Sequence, residues 1–451
     1  MIRLITIASV FSCALFASTT MDAQAPDPTP RMQEIIQSYV SAKTFMGSVL
    51  VSKDGRLLIN QGYGFANLEW NIPNSPTTKF RLGSLTKQFT AASILLLEER
   101  GKLKVEDPVS KYMTDAPAAW SKITIFNLLT HSSGIPNFTG FPDYQTTEWK
   151  DTNPTELVAR FRDKPLDFEP GTKFQYSNSG YIVLGYLIEK ISGQTYTEFL
   201  QENIFTPLGM SDTGLDNNEA ILLQRAQGYV HVPDGFHHAG YTSMTIPFSA
   251  GALYSTTGDL LKWEQGLFGG KVLTAPELKK MTTPFKDGYA FGLFSGMKDG
   301  HQQMSHGGGI EGFNTSLAFY PDDKMIVVVL GNVNGSAPDE IAVALGKVAL
   351  GQTVTLATER KEISVAPALL ADYAGTYELA PTFSIVITVE GGKLMAQATH
   401  QAKLPLFGES DTKFFFKVVD AQIEFFRDST THAVTHLTLY QGGVAHEGKK
   451  K

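Results

Sequence analysis

The chain has 451 residues, 42% hydrophobic and 18% charged, enough apolar material for two or three cored domains and too much for a mainly disordered chain. Its net charge of −7, from 38 basic and 45 acidic residues, disfavours a basic nucleic-acid binder. A single cysteine excludes both an intramolecular disulfide framework and a thiolate metal cluster.

Residues 1–25 read as a secretory signal peptide. Arg3 supplies the positive start, residues 4–17 are mostly apolar but too short for an ordinary membrane span, and Ala23-Gln24-Ala25 has the A-x-A form. Pro26 is a poor residue after a cleavage point, so cleavage after Ala23 or near Ala17 is an alternative. An uncleaved anchor and a lipoprotein attached through Cys13 are the other readings. Later in the chain no run of 18 apolar residues occurs, so an exported protein, periplasmic or secreted, with no integral membrane span after signal removal is expected.

Helical spacing over 31–43 is followed by two strands at 47–52 and 57–62, joined at Lys53-Asp54-Gly55. A long helix is expected over 84–100, stopped by Gly101, and further helices at 124–131, 154–162, 180–191, 196–204 and 258–267. Strands return at 290–295, 302–306, 313–320 and 325–330, and a helix closes the region at 341–350. Strands at both ends with helices between imply one sheet built from both chain ends, an α+β arrangement. After a charged, Thr-rich linker the pattern is almost all β, with strands at 384–389, 413–419, 422–427 and 433–441, as in a small sandwich or barrel.

Three short patterns carry chemistry. Ser84-Leu85-Thr86-Lys87 opens the long helix, where residues three apart share a face, so a desolvated lysine can take the proton of a serine hydroxyl. Ser295–Lys298 and Ser410–Lys413 repeat the spacing but sit at a strand end and in the β-rich tail. Tyr176-Ser177-Asn178 precedes another helix; the outer two side chains can project together, a phenol for proton relay and an amide to orient a carbonyl. Ser305-His306-Gly307-Gly308-Gly309 lies on a late strand, where glycines admit a ligand backbone and an N–H can serve an oxyanion. Taken singly, the three also read as a helix cap with a solvated lysine, a capping turn with a buried tyrosine, and a glycine-rich turn.

Together and in that order they resemble the serine β-lactamase and penicillin-binding-protein superfamily, in its class C-like branch of β-lactamases, DD-carboxypeptidases, D-aminopeptidases and esterases. The runs 128–135 (Leu-Leu-Thr-His-Ser-Ser-Gly-Ile), Pro207-Leu208-Gly209-Met210 and 249–255 (Ser-Ala-Gly-Ala-Leu-Tyr-Ser) extend the likeness. The resemblance implies a β-lactamase/DD-peptidase-like domain, an antiparallel sheet flanked by helices plus a helical region, over 30–352. A linker over 353–367 and a lipocalin-like β domain over 368–449, opening at Tyr373-Ala374-Gly375-Thr376-Tyr377, would follow. It also implies roles. Ser84 would be the acylated nucleophile, Lys87 its base, and Tyr176 the proton shuttle to the leaving group. The backbone N–H groups of Ser84 and Gly309 would form the oxyanion hole, and Asn178, His306 and Gly308 would contact substrate.

No metal or organic cofactor is expected. The partner would be a small-molecule or peptide substrate, and the oligomeric state is not indicated. His306 stands where class C β-lactamases usually carry lysine, a partly charged group in place of a permanent one. That favours a peptide-like amide, with D-amino acids among the options, or a small ester. A true β-lactamase and a non-catalytic penicillin-binding sensor are the alternatives.

Overall fold

Every residue of the strand Met325–Gly331 is buried, because helices cover both faces of the sheet it belongs to. In the computed structural model, which describes residues 27–356, 359–399, 401–417, 421–441 and 444–451, six antiparallel strands form that sheet. Their order is Phe294–Lys298, His301–Ile310, Phe313–Tyr320, Met325–Gly331, Gly47–Lys53 and Arg56–Tyr63. The two chain ends meet in register, Gly47 opposite Gly331 and Lys53 opposite Met325. The signal segment and Cys13 lie outside the described residues.

Strand side chains alternate between faces, and the two faces have separate cores. Val49, Val51, Val327 and Val329 pack with Met32, Ile35, Ile36, Ile341 and Leu345 from the helices Thr29–Ser41 and Ala337–Ala349. Leu50, Val328 and Leu330 point the other way, into the larger core around Phe89, Tyr181 and Trp263. That core surrounds the helix Thr86–Glu99, in which every residue from Thr86 to Leu97 is buried. A helix buried on all sides needs no amphipathic stripe, and its polar groups are satisfied internally: Trp263 Nε1 donates to Gln88 Oε1 at 2.9 Å.

Several expected elements change length for local reasons. The helix expected over 84–100 starts as a 3-10 turn, Gly83–Leu85, before the α-helix Thr86–Glu99. The one over 124–131 stops at Leu129, and His131 takes a left-handed φ of 53°. The one over 180–191 begins at Asn178, and Gly193 ends it at φ 75°. The strand expected over 290–295 lies instead at Phe294–Lys298, because Ala290 and Leu293 close a turn. The strand expected over 302–306 is part of the longer His301–Ile310, and residues 418–419 of the strand expected over 413–419 fall outside the described residues.

Beyond the helix Pro367–Tyr373, eight strands close into a barrel. Its first strand, Gly375–Ala380, pairs with its last, Val444–Lys450, through Tyr377 opposite Lys450. The interior is packed rather than hollow. Ile385, Leu394, Phe414, Ile423, Phe425 and Leu437 fill it, and Tyr373 stacks on Phe425 with ring centres 4.1 Å apart. Arg31, near the chain's described start, reaches the segment between sheet and barrel and pairs with Glu359.

Candidate active site

Ser84 sits where the buried helix begins, on a loop pressed against the His301–Ile310 strand. Thr315 Oγ1 donates to the Leu82 carbonyl at 2.8 Å, and Leu82 N–H donates to the Leu253 carbonyl at 2.8 Å. This approach explains two glycines. A Cβ on Gly308 would lie 1.9 Å from the Leu82 carbonyl oxygen, and one on Gly83, at φ 55°, would lie 2.7 Å from the Gly309 nitrogen.

Lys87 lies one helical turn into the protein and is fully buried. Its Nζ is 2.9 Å from Ser84 Oγ, 2.8 Å from Asn178 Oδ1 and 2.8 Å from the Ala250 carbonyl oxygen. Among the described residues no carboxylate pairs with it, and burial drives its pKa well below the ordinary lysine value. The rings of Tyr176 and Tyr181 face it at 4.8 and 5.5 Å, which favours the ammonium. These ring contacts oppose burial only in part, and the net direction for Lys87 is down. A neutral Lys87 can donate to Asn178 and Ala250 and turn its lone pair to the Ser84 hydroxyl.

The Tyr-x-Asn segment is braced from beneath. Ser177, between the two outward residues, points inward: its hydroxyl donates to the Ile135 carbonyl at 3.0 Å and its N–H donates to His131 Nδ1 at 3.1 Å. Asn178 is oriented by three contacts: Lys87 at Oδ1, Thr139 Oγ1 at Nδ2, 3.2 Å away, and Asn137 Oδ1 at the backbone N–H. The Tyr176 hydroxyl is buried and makes no well-aligned hydrogen bond. Burial pushes its pKa well up, and the adjacent Ser84 hydroxyl only partly offsets this.

Behind Tyr176 stands a wall of aromatic rings. His131 lies 4.1 Å from the Tyr176 ring centre and 4.6 Å from that of Tyr289. Burial, then the charge of Lys87, then that of His306 hold the His131 pKa well below normal.

The structure departs from expectation at two positions. His306 does not present a partly charged ring to the cleft. It is only 5% exposed; its Nδ1–H donates to the Gly307 carbonyl and its Nε2 lies 3.3 Å from the Tyr289 hydroxyl. Burial and then Lys87 push its pKa down to about 4, so the ring is neutral at pH 7. Gly308 lines no open space either, because its Cα faces Leu82. The cleft, of about 240 Å³, is lined instead by Ser84, Asn178, Gly309, Tyr144, Thr242 and Glu311 among others, and by no lysine, arginine or histidine.

Ser84, Lys87, Tyr176 and Asn178 are thus brought together, and Gly309 lines the same cleft as Ser84 and Asn178. The other Ser-x-x-Lys matches are not equivalent: Ser295 and Lys298 share one strand, and Ser410 receives the Lys413 backbone N–H in a turn. Sequence reasoning missed the Ala250 carbonyl, His131, Tyr289 and Thr139. The first two lie in runs noticed for their likeness alone, and Tyr289 carried no signal. Among the described residues, no cluster of three His, Cys, Asp or Glu side chains could hold a metal ion, and no helix is long and apolar enough to cross a membrane.

Residues 32–350 match a family model described as Beta-lactamase, and residues 359–447 match one described as a domain of unknown function. A penicillin-binding protein of Bacillus subtilis is 28% identical over 442 residues, covering 92% of this chain and 97% of its own. The teichoic acid D-alanine hydrolase of Staphylococcus aureus is 29% identical, over 67% of this chain and 74% of its own. The octameric penicillin-binding protein homologue from Pyrococcus abyssi superposes with a TM-score of 0.67 at 26% identity, covering 93% of this chain and 99% of that one.

Proposed function

This chain belongs to the Beta-lactamase family, and from that premise we propose that it is a serine hydrolase working through an acyl-enzyme on Ser84. The observation that carries the reading is Lys87: a fully buried amine without a counter-ion, 2.9 Å from the Ser84 hydroxyl. Burial lowers the pKa of such an amine and so favours its unprotonated, basic form, and a serine hydroxyl is a poor nucleophile without a base.

In this reading Ser84 Oγ attacks the substrate carbonyl as its proton passes to Lys87. The oxyanion is met by the backbone N–H groups of Ser84 and Gly309. Tyr176, buried and protonated, relays the proton to the departing amine or alcohol, and the C–N or C–O bond breaks. Water then attacks the acyl-enzyme with the same groups acting in reverse, which frees the acid and restores Ser84. Asn178 keeps one Nδ2 hydrogen for the substrate, because Thr139 takes the other.

The substrate is a peptide-like amide, in which D-amino acids are one option, or a small ester. A relative named as a D-alanine hydrolase supports that class. The β-lactamase alternative has less support, because no cation lines the cleft to meet a β-lactam carboxylate. A purely non-catalytic sensor would have no use for a buried amine held 2.9 Å from the Ser84 hydroxyl. The segment 1–25 supports export.

Intact-mass spectrometry during turnover of a D-alanine ester tests the reading. The wild-type protein gains one acyl group on Ser84, and Ser84→Ala gains none and loses at least a thousandfold in rate. Undiminished turnover by a folded Ser84→Ala protein refutes the assignment.

A further inference from the structure

The loop that follows the helix Ile125–Leu129 cradles the segment Tyr176–Asn178. The Ile135 carbonyl accepts the Ser177 hydroxyl, the Pro136 carbonyl accepts the Ser179 hydroxyl at 2.7 Å, and Asn137 Oδ1 accepts the Asn178 N–H. Asn178 is therefore fixed by Asn137, Thr139 and Lys87. None of these bonds holds Tyr176.

His131, at the start of that loop, grips both neighbours of Tyr176. Its carbonyl accepts the Gln175 N–H at 2.9 Å, and its Nδ1 accepts the Ser177 N–H at 3.1 Å. Its ring also packs on the phenol ring between them, with centres 4.1 Å apart. Main chain and side chain reach the same segment with His131 at φ 53°, a left-handed conformation uncommon outside glycine and best tolerated by Asn, Asp and His. The tautomer follows from the contacts. Because Nδ1 accepts, the proton of the neutral ring is on Nε2, which is buried and makes no hydrogen bond among the described residues. A second proton could enter only at Nδ1, and it would break the bond to Ser177. A residue that merely filled space would need neither the left-handed backbone nor a buried nitrogen without a partner.

We propose that His131 is a positioning residue for the reaction: by accepting the Ser177 N–H at Nδ1, it holds the Tyr176 phenol beside Ser84, where the phenol can hand a proton to the leaving group. The inference rests on the Ser84 acyl-enzyme reading and adds what sets the geometry of the relay. Without this hold the phenol can turn away from Ser84, while Ser84, Lys87 and Asn178 keep their bonds to one another. The loss then depends on whether the leaving group needs a proton. Methoxide does, and p-nitrophenolate does not.

The test compares kcat/KM, which reports the steps through acylation, for D-alanine methyl ester and D-alanine p-nitrophenyl ester, two substrates with one acyl group. His131→Gly and His131→Asn both accept the left-handed backbone and both lack the ring, but only asparagine offers an acceptor near the Nδ1 position. His131→Gly should lose at least tenfold more on the methyl ester than on the p-nitrophenyl ester, and Tyr176→Phe should do the same. His131→Asn should show a difference of no more than about threefold. His131→Leu fills the space without an acceptor and carries the expectation of His131→Gly if that variant does not fold. Equal losses on the two esters in the glycine or leucine variant mean packing alone and overturn the proposal. A selective loss in His131→Asn as large as in His131→Gly overturns it too, since the acceptor would then be irrelevant. If Ser84→Ala hydrolyses either ester as well as wild type, the acyl-enzyme reading itself fails, and the role of His131 with it.

Discussion

Acid should unfold this protein in part through His306. The folded ring takes a proton only at about pH 4, because it is buried and faces the Lys87 amine. In the unfolded chain the value is about 6.5. Between those values the unfolded state binds more protons, so stability is full above about pH 6.5 and falls as pH drops toward 4. From pH 7 to pH 4.5 the difference amounts to about 2 kcal/mol for this one group. His306→Asn keeps an N–H donor for the Gly307 carbonyl and cannot titrate. The four tryptophans, Trp70, Trp120, Trp149 and Trp263, all precede the barrel, so their fluorescence in urea reports the region that holds His306. Wild type should lose about 2 kcal/mol more than His306→Asn on going from pH 7 to pH 4.5. Contributions from His131, Lys87 and the carboxylates are shared by both proteins. Equal losses would mean that His306 is not held neutral by burial, and the explanation of its displacement from the cleft would fail with it.

Two further expectations follow from the backbone contacts. Gly308→Ala sets a Cβ 1.9 Å from the Leu82 carbonyl oxygen and 2.3 Å from Thr315 Oγ1; the loop bearing Ser84 must shift, and fluorophosphonate labelling of Ser84 should slow at least tenfold in a protein that still folds. A chain ending at Gln352 retains every group of the candidate site and every strand of the six-stranded sheet, so it should label at a rate within about threefold of the full chain; complete loss in a soluble, folded truncation would show that the barrel contributes to the site.

What was legible in the sequence was what is local. Ser84 and Lys87 meet because residues three apart share a helix face, and Tyr176 and Asn178 because alternate residues before a helix project together. The hairpin at Lys53-Asp54-Gly55 and the strands 313–320 and 325–330 were readable for the same reason. What was not legible depends on distant chain segments. The Ala250 carbonyl is a backbone atom with no side-chain signature, and it reaches Lys87 across 163 residues. His306 looked like a group on an open strand, since three glycines follow it. Those glycines are instead where the nucleophile loop closes down, and the rings of Tyr176, Tyr289 and Phe294 surround the imidazole. Glu311 carries no local signal, because nothing in the sequence around it says that its turn borders a cleft.

The pairing of Gly47 with Gly331 has a consequence for biosynthesis. The hairpin made by Gly47–Lys53 and Arg56–Tyr63 is synthesised early but occupies one side of the sheet, and Met325–Gly331 is the strand that joins it to the rest. Until that strand exists, Val49 and Val51 have no neighbouring strand on that side, and the helix Ala337–Ala349 that covers them is still to come. Long-range pairings of this kind are slow to form. A chain of this design stays uncommitted until most of it has been made. That delay leaves the unpaired hairpin as the segment a chaperone would have to shield.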